Sequence, residues 1–168
     1  QRDFAGLILP IQYTRRSGND VIDHRKHCGE VLMNDTPSLE ELIEEFSEID
    51  DAMERLELLM DFADEVDELT LDEWSDDNLV RGCQSQAHIV VENREGLVHT
   101  RAAADAKIVQ GLMGILSVVM NGKSPVFVLS LTPQFAIDMG ILNSLTPSRS
   151  NGFRTMFDMI QSEVKEKF

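Results

Sequence analysis

The chain has 168 residues, 42% of them hydrophobic, and its 15 basic and 30 acidic side chains give a net charge of -15. That size and apolar content are enough for one buried core without metals or disulfides, and two cysteines are too few to frame a disulfide-dependent secreted fold. The charge opposes nucleic acid and anionic lipid as partners, and the longest apolar run, Ile108 to Met120, falls short of the roughly 20 residues of a membrane span.

Residues 1–32 mix Gly, Arg, His and Pro without sustained periodicity and carry five basic and four acidic side chains, which leaves ten basic and 26 acidic ones for residues 33–168. The composition breaks near Met33, and Asn34-Asp35-Thr36-Pro37 after a methionine reads as a natural chain start. Residues 1–32 are therefore expected to be a disordered or non-native extension, and residues 33–168 the functional domain. The first segment lacks the basic start, apolar stretch and small-residue cleavage site of a secretory signal, so a cytoplasmic location is the expectation. His24, His27 and Cys28 cluster there without a fourth ligand, and no metal is assigned to them.

Ser38 with Glu41 forms a capping-box pattern ahead of Leu39, Leu42, Ile43 and Phe46, which predicts a first helix. Asp50 or Asp51 is placed to cap a second, with Met53, Leu56, Leu59, Met60 and Ala63 as its apolar stripe. Residues 65–77 read as an acidic loop anchored by Trp74. Residues 87–91 and 97–100 are β-prone and flank Asn93-Arg94-Glu95-Gly96, a hairpin turn in which glycine supplies a positive φ. Asp105 stands at a helix N-cap position, and residues 106–120 are apolar on nearly every side, so this helix is expected at the centre. Gly111 and Gly114 inside it predict a close approach to another backbone. Residues 124–131 read equally as helix or strand. Thr146-Pro147 starts a last helix, with Phe153, Met156, Phe157 and Ile160 turned inward. The predicted class is α+β, a small antiparallel sheet of about three strands flanked by helices.

Cys83 lies in the polar run Val80-Arg81-Gly82-Cys83-Gln84-Ser85-Gln86, just before a strand. Its residue type leaves two roles open, a small buried hydrophobe or a reactive thiol. Gly82 permits an unusual turn, Gln84, Ser85 and Gln86 bring donors for an anionic sulfur, and Arg81 brings a positive charge that favours the thiolate. His88, five residues on, reads as structural, because alternation along a strand turns neighbouring side chains to opposite faces.

Gly82-Cys83-Gln84-Ser85-Gln86 resembles the signature of the SufE family, acceptors of sulfur from cysteine desulfurases in iron-sulfur cluster assembly. Asp105-Ala106, Ile108-Val109 and Gly111-Leu112 resemble that family's central helix, and Ser148-Arg149-Ser150-Asn151-Gly152 its C-terminal motif. The chain departs from the family in having Ala103-Ala104 where a polar Asp-Ser pair is usual, and His88 where tryptophan is common. The resemblance implies a SufE/IscU-like fold and a persulfide carried on Cys83, with loop support from Gly82, Gln84, Ser85 and Gln86. It implies a cap or regulatory role for Asp105 and partner docking through Arg149, beside Asn151 and Gly152, which shape the helix start. A cation in a helix's first turn opposes the macrodipole, so Arg149 calls for a compensating partner, either a desulfurase or a surface carboxylate.

The function implied is that of a sulfur carrier that stimulates a desulfurase and passes sulfur to an iron-sulfur cluster scaffold, with no independent turnover. It needs no cofactor of its own, since pyridoxal phosphate belongs to the desulfurase. A regulator that binds the desulfurase without accepting sulfur is the alternative. A cluster-building scaffold fits poorly, with Cys83 the one cysteine after Met33, and a cysteine hydrolase lacks a motif that supplies a base.

Overall fold

The computed structural model describes residues 36–168. The expectations for residues 1–32, and for the His24, His27 and Cys28 cluster, fall outside them. Helix α1 (Leu39–Ser47) begins on the capping box: Ser38 Oγ accepts from the Glu41 amide at 3.2 Å, and the Glu41 carboxylate accepts from the Ser38 amide at 2.7 Å. Helix α2 (Ala52–Asp61) is capped by Asp51, whose carboxylate accepts from the amides of Met53 and Glu54. Leu59 is buried and Leu56 and Met60 half-buried, but Met53, counted in the stripe, is 64% exposed in the helix's first turn.

The acidic stretch that follows is more ordered than a loop. It contains two short 3-10 turns, Phe62–Glu65 and Leu71–Glu73, with strand β1 (Asp67–Glu68) between them. Strands β2 (Ala87–Arg94) and β3 (Leu97–Ala104) form an antiparallel hairpin in the register Ala87 opposite Ala104 to Arg94 opposite Leu97. The turn residues Glu95 and Gly96 both have positive φ, 55° and 82°, the geometry that matches strand twist in a two-residue hairpin. Strand β1 runs parallel to β3, in the order β1-β3-β2, so the sheet is mixed and the expectation of a purely antiparallel one is corrected. A two-residue strand among carboxylates leaves no alternating pattern to detect.

One sheet face carries Ala87, Ile89, Val91, Val98 and Ala102 into the core, against α3 (Lys107–Met120). Each large apolar side chain fully buried there stabilises the fold by roughly 1.5–3 kcal/mol. Gly111 and Gly114 sit where α3 meets residues 59–62, as the sequence suggested. A Cβ would stand 2.3 Å from the Leu59 carbonyl oxygen at Gly111, and 1.8 Å from that of Phe62 at Gly114. The N-cap of α3 is Ala106, with no side-chain cap. The capping role of Asp105 is thereby corrected: it lies one residue too early, and its amide donates to the Gln86 carbonyl at 3.0 Å.

The ambiguous segment after α3 is helix α4 (Pro125–Ser130), fixed by Ser124 Oγ accepting from the Phe127 amide. Short helices α5 (Gln134–Asp138) and α6 (Ile141–Ser144) lead to α7 (Pro147–Lys167), capped by Thr146. Helix α7 buries Phe153, Met156, Phe157, Ile160 and Val164, and lies against β2, α3 and α4.

The other sheet face is covered by the acidic stretch through charge pairing. Arg101 on β3 donates to both carboxylate oxygens of Glu73, at 2.6 and 3.0 Å, and lies 3.5 Å from Asp67. Asp67 also pairs with His99 and Arg94. Hydrogen bonding from Arg101 holds the Glu73 carboxyl down at about 2, and that from His99 lowers Asp67.

Two outcomes follow from this packing. Gly114→Ala forces its new methyl onto a backbone carbonyl and is expected to lower stability by about 3 kcal/mol, measured as a reduced urea midpoint. A carboxyl held below its unfolded pKa stabilises the fold above that pKa, and the contribution is lost as pH falls from about 4.5 to about 2. Arg101→Gln is expected to flatten the decline of the urea midpoint across that window, leaving the smaller share due to Thr70.

Candidate functional site

The loop bearing Cys83 leaves the sheet at a closed neck. The Val80 amide donates to the Ala87 carbonyl at 2.8 Å, and the Ile89 amide to that of Asn78 at 2.9 Å, so six residues, 81–86, project beyond the end of β2. Gly82 has φ +81° and open space where a Cβ would go. Its requirement for glycine is therefore conformational, a left-handed turn that costs other residues roughly 1–2 kcal/mol. The Asp105 bond to Gln86 ties the far end of the loop to the segment that enters α3.

Cys83 is half-buried against the core and is a free thiol. Its sulfur rests on α7. A Cβ at Gly152 would lie 3.3 Å from Cys83 Sγ and 3.8 Å from its Cβ, with no other neighbour within 4 Å apart from the adjoining chain and the helix's own backbone. The fold thus brings together two of the three segments singled out in sequence, 82–86 and 148–152. The third joins them through the bond between Gln86 and Asp105.

The other candidates are arranged less directly. Among the described residues the side chains of Gln84, Ser85 and Gln86 make no hydrogen bond, to the sulfur or elsewhere. The Arg81 guanidinium donates to the Asp76 carbonyl at 3.4 Å, toward the preceding acidic turn. Arg149 and Asn151 are exposed in the first turns of α7, and Arg149 has no ion-pair partner among the described residues, so the surface-carboxylate explanation for it is not seen. The Arg149 amide is held by Thr146 Oγ1 at 3.5 Å.

Sequence reasoning missed Asn78, which organises the stem of the loop. Its amide nitrogen donates to the Glu73 carbonyl at 2.9 Å, and its oxygen accepts from the Ser75 amide at 3.0 Å. That orientation makes the oxygen the acceptor for His88 Nδ1, 2.8 Å away, and assigns the proton to Nδ1. The His88 ring stacks on Trp74 with centroids 4.6 Å apart. Because Ala87 and Ile89 face the core, His88 faces the opposite side of the sheet from α7 and Cys83. It is buried structure, as expected, and is not placed to act as a base for the thiol. Surface hollows lie around Lys107 and around His99, and Cys83 lines neither. A partly exposed thiol on a projecting loop is suited to meeting a macromolecular surface.

Comparison with known proteins bears on the whole arrangement. The profile of the family described as "SufE: Fe-S metabolism associated domain" matches residues 40–164. An uncharacterized SufE-like protein of Synechocystis is 34% identical over 136 residues, 80% of this chain and 86% of that one. A SufE-like protein of Arabidopsis thaliana, described as chloroplastic/mitochondrial, is 29% identical over 76% of this chain, which spans 35% of that protein's length. The solution structure of a hypothetical protein from Thermus thermophilus shares the fold, with a TM-score of 0.66 at 23% identity, over 76% of this chain and 93% of that one.

Proposed function

Since the chain belongs to the SufE family and so to iron-sulfur metabolism, we propose that it is a sulfur carrier that accepts persulfide sulfur on Cys83 from a cysteine desulfurase. The observation that carries this reading is the placement of Cys83: a free, half-buried thiol on a glycine-hinged loop, seated beside the exposed start of α7. The chemistry balances without an added oxidant. The Cys83 thiolate attacks the outer sulfur of the desulfurase persulfide, and a new S–S bond forms at Cys83. The original S–S bond breaks, and its electron pair leaves on the desulfurase cysteine as thiolate.

Residues of this chain position the step. Gly82 lets the loop turn, the side chains of Gln84, Ser85 and Gln86 are unengaged and available to the incoming anionic sulfur, and Asp105 restrains the loop end through its amide. Arg149, exposed three residues before Gly152, docks the desulfurase beside the thiol. The carrier then delivers sulfur to a cluster-assembly scaffold by the same exchange in reverse. Sulfur is the cargo, the pyridoxal phosphate is the desulfurase's, and this chain acts as acceptor and activator with no turnover of its own.

Incubation with a cysteine desulfurase and L-cysteine is expected to add one reducible sulfur atom at Cys83, seen by intact and peptide mass spectrometry, and none in Cys83→Ser. Stimulation of the desulfurase that survives Cys83→Ser with no sulfur gained by the native chain points instead to a regulator. Arg149→Glu is expected to raise the half-saturating concentration for stimulation about tenfold or more, because it puts a carboxylate where a docking cation stood, while Cys83 alkylation by a small reagent is unchanged.

A further inference from the structure

Gly152 was grouped in sequence with the docking residues, but the structure gives it a separate position. It is buried in the second turn of a 21-residue helix, where glycine is a poor choice. At Gly111 and Gly114 a neighbouring backbone accounts for glycine, and at Gly82, Gly96, Gly122 and Gly140 a positive φ does. Gly152 has neither reason. Leaving out the adjoining chain and the helix's own backbone, the only atoms within 4 Å of a Cβ there belong to Cys83.

We propose that Gly152 is a positioning residue for Cys83, its missing side chain forming the seat that holds the thiol half-withdrawn against α7. This deepens the carrier reading and takes its functional meaning from it. Contact at 3.3 Å is tighter than a methyl and a sulfur ordinarily keep, so an alanine at 152 requires something to yield. The helix is anchored just after Gly152 by Phe153 and Met156, both fully buried, whereas the sulfur stands next to Gly82 on a loop with exposed neighbours. The sulfur is what moves, and outward is the open direction.

The test is Gly152→Ala, measured by the rate of Cys83 alkylation with iodoacetamide in native buffer and by the urea midpoint. Alanine favours the helix, so the midpoint is expected to be equal to the native one or higher, while alkylation accelerates about fivefold. A change at the sulfur without loss of stability is what a positioning role produces and a purely structural one does not. An unchanged or slower alkylation rate overturns the proposal, as does acceleration only in proportion to a lowered midpoint. Neither readout involves a desulfurase. Failure of Cys83 to gain sulfur in the mass-spectrometric experiment therefore counts against the carrier reading alone, and a flat alkylation rate against the seat alone.

Discussion

The ladder between β2 and β3 is the constraint on which the rest of the molecule depends. Its register sets Ala87 opposite Ala104, and those two residues stand at the thresholds of the cysteine loop and the central helix. The bond from Asp105 to Gln86 extends the pairing one step beyond the strands. A slip of one residue would turn Ile89 and Val91 outward and bring His88 and Glu92 into the core, so burial on one face fixes the register. With the register fixed, the ends of the loop are fixed, and the reach of its six residues brings the sulfur to α7.

The opposite face of the sheet performs a different task with different chemistry. There the covering segment is rich in carboxylates, and Arg101 holds it by pairing with Glu73 and Asp67. This segment continues through Trp74 and Asn78 into the loop's neck, so the stem is attached to the sheet by charge at one end and by the His88 stack at the other. Exposed ion pairs stabilise weakly when isolated, but Arg101 engages the carboxylates of Glu73, Asp67 and Glu92 and a carbonyl and lies only 20% exposed, which suits it to holding a short segment in place. A charged clamp under the stem and a seat under the sulfur hold the two sides from which residues 81–86 project.

Much of this was legible in the sequence because the signals were local. Capping residues located three helix starts, the hairpin turn announced itself by Asn93 to Gly96, and the β-prone runs 87–91 and 97–100 on either side of it marked the strands. The glycines of α3 predicted a backbone contact from their propensity cost alone. What was not legible depended on contacts between distant segments. Strand β1 is two residues long and acidic, so only its pairing with β3 identifies it. The cap of α3 falls on Ala106, one residue beyond Asp105, whose amide is bonded to the cysteine loop. Gly152 read as part of a motif near a helix start, and nothing adjacent to it in sequence says that the sulfur of distant Cys83 fills its missing side chain.

That distant contact also distinguishes among the chemistries a lone cysteine permits. A cluster scaffold needs several thiolate or imidazole ligands converging on one point, and the described residues present one thiol with a glycine beside it. A hydrolase needs a base in line with the sulfur, and the nearby histidine is on the far face of the sheet with its Nδ1 committed to Asn78. Sulfur transfer asks only that a thiolate approach a partner's persulfide and retreat with its cargo, so a single sulfur on a short, hinged loop is sufficient. Under the proposed function one helix serves both steps: the α7 that carries exposed Arg149 is the helix on which the sulfur rests at Gly152, so docking and transfer would act on adjacent turns of one element.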